Sequence, residues 1–139
     1  MNEEEARRTM SEKPTVVLLI DDESDIRKTI GRRLEQEGFG VLLAASGEEG
    51  LRVAKEQQPD LVLLDIMMPK MKGRDVCAKL KASPETAHIP VIFLTALGLP
   101  DHVKAGLDLG ADDYLVKPVD AKELKMRISI CLARKRATT

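Results

Sequence analysis

The carboxylate of Asp65 is the side chain in this sequence with the greatest scope for chemistry. It ends the apolar run Leu61–Leu64, which is typical of a strand buried on both faces. An unpaired charge inside such a strand is strongly disfavoured, so we expect Asp65 at the strand's carboxyl end, where the chain leaves the sheet. A carboxylate in that place can bind a metal ion, act as a nucleophile or cap a turn.

Other polar side chains follow apolar segments in the same way: Asp21 and Asp22 after the first, Thr95 after the fourth and Lys117 after the fifth. Because the carboxyl ends of parallel strands share one edge of a sheet, we expect these side chains to converge on Asp65. Three carboxylates within a few ångströms repel one another, and Lys117 offsets one charge. A set of oxygen ligands without His or Cys predicts a site for Mg²⁺, with Mn²⁺ as the alternative, rather than Zn²⁺.

The apolar segments alternate with five stretches of helical pattern. Ser24 is the predicted cap of the first helix, whose arginines, Arg27, Arg32 and Arg33, lie off its apolar stripe. Ser46 and Glu49 form a predicted capping box for the second helix. Five alternating strands and helices predict an α/β fold, a doubly wound five-stranded parallel sheet of order 2-1-3-4-5, that is, a flavodoxin-like (βα)5 fold.

Composition narrows the function classes. The 139 residues carry a net charge of −1, with two Phe, one Tyr and no Trp. We therefore expect no direct binding of nucleic acid by this chain and no membrane association. Cys77 and Cys131 lie in apolar helical patterns and are interpreted as buried thiols, which fits a cytoplasmic location. The expected organisation is a flexible N-terminal arm at 1–14, one domain at 15–136 and a tail at 137–139.

The chain resembles the receiver domain of two-component response regulators over about residues 15–134. The order and spacing of short motifs carry the resemblance: Asp21-Asp22, Leu-Leu-Asp65-Ile-Met-Met-Pro with Gly73, Thr95-Ala96, Gly110-Ala-Asp-Asp-Tyr114, and Lys117-Pro118 followed by Glu123-Leu124. It implies that Asp65 accepts a phosphoryl group from a sensor histidine kinase or a phosphotransfer protein. It further implies that Asp22, Asp65 and the backbone carbonyl of Met67 bind magnesium, with Asp21 helping through a water.

The resemblance also assigns the residues around the phosphoryl group. Lys117 would pair with it, and a cis peptide at Pro118 would direct the ammonium into the site. The Thr95 hydroxyl and the Ala96 N–H would bind phosphoryl oxygens. Tyr114 would be the switch aromatic that rotates inward when Thr95 moves. Such a chain is a phosphorylation-dependent switch that catalyses its own phosphorylation and dephosphorylation, rather than a turnover enzyme.

The signal is expected to leave through the surface made by the predicted fourth helix, the fifth strand and the last helix. By resemblance to DNA-binding relatives, this face would contact a downstream protein or output domain and could form a homodimer through charged residues. The candidate interface residues are Val103, Lys104, Asp113, Glu123 and Arg127, with Val103 standing where a cation is expected. The sequence leaves open whether the chain acts alone, in a relay or as part of a longer regulator.

Other classes fit the residues less well. A magnesium-dependent phosphohydrolase of the haloacid dehalogenase type needs an acid two residues after the nucleophile, where this chain has Met67. A flavodoxin-like cofactor binder would have its flavin phosphate repelled by the strand-end acids. A receiver used only as an unphosphorylated scaffold is not favoured by the intact acid set. The apolar Met67 and Leu97, at positions that shape the approach of water in the family, predict slow self-dephosphorylation.

Overall fold

The structure, a computed structural model, describes residues 13–96 and 110–138. Its strands are β1 (Val16–Ile20), β2 (Gly40–Ala44), β3 (Leu61–Asp65), β4 (Val91–Thr95) and β5 (Asp113–Val116). Its helices are α1 (Ser24–Gln36), α2 (Gly47–Gln57), α3 (Gly73–Ala82) and α4, the C-terminal helix (Ala121–Thr138). The predicted fourth helix, most of the predicted N-terminal arm and the last residue lie outside the described residues.

The five strands form one parallel sheet with the order β2-β1-β3-β4-β5, so the predicted fold is confirmed. The register aligns the strand ends, since Ile20 lies opposite Leu64, and Asp65 lies opposite Leu94. Every residue of β3 and β4 is buried, as continuous apolar runs require when helices cover both faces. The predicted strand-end side chains therefore leave the sheet at one edge.

Alternate residues of the central strands divide the core into two clusters, one on each face. Leu18 and Val62 pack with α2 and α3, whereas Val17 and Leu61 pack with α1 and α4. The two cysteines follow this division, with Cys77 in the first cluster and Cys131 in the second; both are buried free thiols, as predicted. No helix of the described residues is long and apolar enough to cross a membrane.

Two glycines allow helices to approach the functional edge of the sheet. A Cβ on Gly50 in α2 would lie 2.3 Å from Cδ1 of Ile20, the last residue of β1. A Cβ on Gly73, the first residue of α3, would lie 2.3 Å from the carbonyl oxygen of Asp65. A larger residue at Gly73 would displace the backbone of Asp65, and one at Gly50 would displace the Ile20 side chain next to Asp21.

Helix capping confirmed one sequence prediction and contradicted another. Ser46 accepts a hydrogen bond from the Glu49 N–H at 3.2 Å, while the Glu49 carboxylate accepts from Ala45 N–H at 3.4 Å. The prediction of Ser24 as a cap is wrong, because Ser24 is the first residue of α1 and Glu23 holds the cap position without a side-chain bond. The chain turns into this helix at Asp21 instead, as the site geometry shows.

Candidate functional site

Three carboxylates meet at the carboxyl edge of the sheet. Asp21, Asp22 and Asp65 each offer an oxygen, and these atoms all lie within 4.8 Å of one another. Asp21 and Asp65 are buried, with exposed fractions of 0% and 4%, while Asp22 is open to solvent. The structure thus brings together the three predicted acids in an arrangement with one accessible side.

The Lys117 ammonium lies against two of these acids. Its Nζ is 3.1 Å from Oδ2 of Asp21 and 3.5 Å from Oδ1 of Asp65. The lysine reaches them from the end of β5, two strands away from β3, and the Lys117–Pro118 peptide is cis, as the resemblance implied. One cation therefore faces a group of three anions.

Local backbone bonds hold the acids in place. Oδ1 of Asp21 accepts from Glu23 N–H at 2.9 Å, and Oδ1 of Asp65 accepts from Met67 N–H at 3.2 Å. Both are turns in which an aspartate binds the backbone two residues ahead. A side chain from α1 adds to this, because Nη1 of Arg27 donates to the Asp21 carbonyl at 2.7 Å.

The electrostatics of the site show an excess of negative charge. Burial, together with the carboxylate of Asp21, raises the pKa of Asp65 from 3.8 to about 6 against the opposing effect of Lys117. Burial alone would lower the pKa of Lys117, but Asp65 and Asp21 outweigh it and raise the pKa. Lys117 thus stays charged and still leaves the acids under-compensated.

These features fit a hard divalent cation. The ligands are all carboxylate oxygens, and the group is the cluster of potential metal ligands found among residues 13–96 and 110–138. The raised pKa of Asp65 has its cause in burial and in a neighbouring carboxylate, both of which a bound cation would offset. Asp21, Asp22 and Asp65 could therefore hold the ion.

The remaining predicted site residues lie on the β4–β5 side of the acids. Thr95 is buried at the end of β4, and its hydroxyl donates to the Ala96 carbonyl at 3.1 Å. Tyr114 is 41% exposed, so its ring lies on the surface rather than inside the domain. The Lys117 N–H donates to the Thr95 carbonyl at 2.8 Å, so the end of β4 is bonded directly to the backbone of Lys117.

The structure describes three of the five predicted interface residues. Val103 and Lys104 lie outside the described residues. Asp113 accepts from Nη1 of Arg127 through both oxygens, at 3.2 and 3.1 Å, and Glu123 lies 3.8 Å from Nη2 of the same arginine. The charges on β5 and α4 are therefore paired with each other within the chain.

Two arginines of α1 were not predicted to contribute to the site. Arg27 binds the Asp21 carbonyl, and Nη1 of Arg33 donates to the carbonyl of Val119, two residues after Lys117. In the sequence both residues lie off the apolar stripe of α1. This pattern predicts that they are not in the hydrophobic core, but it does not predict their hydrogen-bond partners. The partner of Arg33 lies in a loop that only the folded topology brings near the helix, whereas Asp21 lies in the turn just before the helix.

Comparison with known proteins identifies the family. The family model described as "Response regulator receiver domain" matches residues 17–129, so the chain belongs to the response regulator receiver domains. A receiver domain protein from Clostridium thermocellum superposes with a TM-score of 0.83 at 38% identity, covering 90% of this chain and 99% of that one. The receiver domain of sensor histidine kinase PA1611 from Pseudomonas aeruginosa superposes with a TM-score of 0.80 at 28% identity, covering 87% and 99%; its structure has a magnesium ion coordinated in the active site cleft.

Curated relatives are longer than this chain. A probable transcriptional regulator, ycf27 of Guillardia theta, is 47% identical over 119 residues, which are 85% of this chain and 45% of that protein. The chain spans about half the length of the curated relatives it matches. What it shares with them is the receiver, a phosphoacceptor switch of two-component systems.

Proposed function

We propose that Asp65 is the phosphoacceptor of this receiver and takes its phosphoryl group from a sensor histidine kinase or a phosphotransfer protein. The observation that carries the proposal is the position of the Asp65 carboxylate, buried yet within 4.8 Å of Asp21 and Asp22 oxygens and 3.5 Å from the Lys117 ammonium. Asp65 lies at the end of β3, between β1, which leads to Asp21 and Asp22, and β5, which leads to Lys117. The family membership supports the same assignment.

In this proposal Asp21, Asp22 and Asp65 hold Mg²⁺, or in its place Mn²⁺, with the Met67 backbone carbonyl as a further ligand. The metal would supply positive charge to the phosphoryl oxygens as they approach a negatively charged cluster. The support is the oxygen-only donor set and the excess negative charge that raises the pKa of Asp65. Asp22 is the accessible member through which the ion would enter.

The chain's own residues perform the transfer by position and charge. A carboxylate oxygen of Asp65 forms a bond to phosphorus, while the bond from phosphorus to the donor breaks and its electron pair leaves with the donor. Lys117 pairs with a phosphoryl oxygen, and the Thr95 hydroxyl turns from the Ala96 carbonyl to another. The Ala96 N–H provides a further donor. Because the lysine is in place before the donor arrives and the hydroxyl needs only to rotate, the chain assists its own phosphorylation and dephosphorylation.

The signal then passes from Thr95 and Lys117 to the β5–α4 side of the domain, with Tyr114 as the switch aromatic. Tyr114 is exposed and lies opposite the buried Phe93 of β4, two residues before Thr95. We propose that the predicted fourth helix, β5 and α4 together contact a downstream protein, an output domain or a second copy of the chain. The proposed extent of the receiver is 15–136, and its proposed location is the cytoplasm.

The test is phosphorylation by acetyl phosphate with magnesium, followed by intact mass measurement. We expect one phosphoryl group per chain, removed by hydroxylamine, and none on the Asp65→Asn variant. The matched control is Asp60→Asn, which alters another aspartate at a strand of the same sheet but at the opposite edge. Equal labelling of the Asp65→Asn variant and the parent would refute the assignment.

A further inference from the structure

Helix α1 contacts the loop that carries Lys117, although 86 residues separate the two in sequence. The contact is a hydrogen bond from Nη1 of Arg33 to the main-chain carbonyl of Val119. Val119 itself is buried and packs in the same core cluster as Ile30 and Leu34 of α1. The arginine thus binds a backbone atom of a residue whose side chain belongs to the core cluster that α1 also joins.

Within residues 13–96 and 110–138, few backbone hydrogen bonds hold the segment between Lys117 and the C-terminal helix. The Lys117 N–H donates to the Thr95 carbonyl at 2.8 Å, and α4 begins where Leu124 N–H donates to the Asp120 carbonyl at 2.9 Å. Pro118 has no N–H to donate. The Val119 carbonyl lies between these two fixed points and accepts a hydrogen bond from Arg33.

The position of this segment matters because the Lys117 side chain must extend across the site. Its Nζ contacts Asp21 at 3.1 Å and Asp65 at 3.5 Å from a backbone at the end of β5. A displacement of an ångström at a reacting centre costs up to about 10²-fold in rate. A shift of the segment from 117 to 119 would move the ammonium by a comparable amount.

We propose that Arg33 is a positioning residue for Lys117, acting through the carbonyl of Val119. The inference rests on the proposed function of Asp65 and extends it to a residue outside the site. The contact of Arg33 is with the Val119 carbonyl rather than with the acids, so its effect on phosphoryl transfer passes through Lys117. Its removal should slow transfer without weakening the metal site, whose ligands lie at the carboxyl ends of β1 and β3.

The structure offers a closely matched control. Arg32 is the adjacent residue of α1 and is exposed, whereas Arg33 is half-buried. Arg33→Met keeps an apolar stem and removes the donor, and Arg32→Met removes the same charge from the same helix. Arg33→Lys restores a donor and a charge at the end of a flexible stem.

The experiment measures the rate of Asp65 phosphorylation by acetyl phosphate at saturating magnesium, together with the Kd for magnesium by calorimetry. We expect Arg33→Met to lower the rate about tenfold, Arg32→Met to leave it within about twofold of the parent, and Arg33→Lys to recover part of the loss. The Kd for magnesium should not rise in any of the three variants. In a Lys117→Ala background, Arg33→Met should cause no further loss of rate.

Two results would overturn the proposal. One is an Arg33→Met rate equal to that of Arg32→Met, and the other is an equal loss in the presence and absence of Lys117. A role for Arg33 in stability alone predicts the first result, with a lower urea midpoint but an unchanged rate for the folded protein. If Arg33→Met does not fold, the comparison of Arg33→Lys with Arg32→Lys decides in the same way.

A failure of the proposed function can be recognised separately. If the parent protein accepts no phosphoryl group, amide NMR of the unphosphorylated Arg33→Met and Arg32→Met variants still tests the positioning. We expect shift changes at Lys117, Val119 and Asp120 in the first variant and not in the second. Unchanged shifts at Lys117 in Arg33→Met would overturn the inference, whatever the outcome for Asp65.

Discussion

Asp65 is the residue whose charge is needed for the proposed function but destabilises the fold. Its pKa is raised to about 6, first by burial and then by Asp21, and Lys117 offsets only part of this. A group with a raised pKa holds its proton more tightly in the folded than in the unfolded chain. Ionising Asp65 therefore destabilises the folded protein when no cation is bound.

The sign and pH range of this effect follow from the two pKa values, 3.8 in the unfolded chain and about 6 in the folded one. Below about pH 4 both states are protonated and the cost is absent, and above about pH 6 it is fully present. We predict that, in EDTA, Asp65→Asn raises the free energy of unfolding more at pH 7.5 than at pH 4. The difference between the two increases is on the order of 1–3 kcal/mol.

Urea unfolding at the two pH values measures this difference. Glu56→Gln is the control, because it removes one negative charge from an exposed position on α2. We expect the control to change stability little and equally at both pH values. A stabilisation by Asp65→Asn that does not depend on pH would contradict the prediction.

Met67 is the second residue whose chemistry can be tested alone. Its side chain is 49% exposed and follows Asp65 by two positions, so it borders the approach to the site without filling the core. An apolar side chain cannot orient a water for in-line attack on the aspartyl phosphate. We predict that Met67→Asn shortens the phosphoryl lifetime at Asp65 several-fold, as followed by phosphate release after removal of acetyl phosphate.

Met126→Asn is the matched control for that measurement. Met126 is 52% exposed and lies on α4, so the same substitution there tests the effect of a surface change alone. A lifetime that is equal in Met67→Asn and Met126→Asn would show that Met67 does not limit hydrolysis. The second residue predicted from the sequence, Leu97, lies outside the described residues.

Among the elements, α3 begins unusually close to the strand that carries the phosphoacceptor. Gly73 has no room for a Cβ, which would lie 2.3 Å from the Asp65 carbonyl oxygen and 2.6 Å from Cα of Ile66. We predict that Gly73→Ala destabilises the protein by about 1–3 kcal/mol and lowers the rate of Asp65 phosphorylation. The backbone of Asp65 must move to admit the methyl group, and the carboxylate moves with it.

Gly31 in α1 provides the opposite case. A Cβ there would lie 3.6 Å from Cδ2 of Leu43, an ordinary van der Waals contact. Gly31→Ala should therefore raise the free energy of unfolding by about 0.5–1 kcal/mol, as measured with urea, and leave the rate of phosphorylation unchanged. Destabilisation of equal size in both variants would show that the close approach at Gly73 is not specific.

The sequence predicted those parts of the site that depend on a single element. Asp65 and Thr95 each follow one apolar run, and the parallel arrangement of the runs is enough to place them at one edge. The capping pair Ser46 and Glu49 was predictable for the same reason, since both partners are local. Ser24 failed as a predicted cap because the helix begins one residue earlier than expected, and the Arg27 N–H, which a cap at Ser24 could bind, donates to the Glu23 carbonyl.

Contacts between distant elements could not be predicted in this way. Arg33 binds the main-chain carbonyl of Val119, and a carbonyl has the same chemistry at every residue and leaves no pattern in the sequence. The close packing of Gly73 against Asp65 likewise depends on the path of the chain between β3 and α3. The bond between Arg127 and Asp113 joins α4 to β5, and the sequence showed its members without showing that they pair within one chain.

At the scale of the whole molecule, the site divides the domain into two sides. Asp21 and its arginine belong to β1 and α1, whereas Thr95 and Lys117 belong to β4 and β5. The second side carries the exposed apolar residues Tyr114, Met126 and Ile130 around the paired charges of Arg127. The pair of Arg127 with Glu123 is exposed on both sides, and such a pair contributes only about 0.2–1 kcal/mol, so it can rearrange at low cost.

The last prediction follows from this division and concerns beryllofluoride, which with magnesium mimics the phosphoryl group on Asp65. We expect amide NMR shifts to concentrate at the site and across residues 97–127, because Thr95 and Lys117 transmit the change to that side. Residues 24–36 should change little, since Arg27 and Arg33 bind carbonyls whose positions the phosphoryl group does not need to alter. The Asp65→Asn variant under the same conditions is the control and should show no such pattern. Shifts spread along α1, with few on β5 and α4, would place the output surface on the opposite side of the domain.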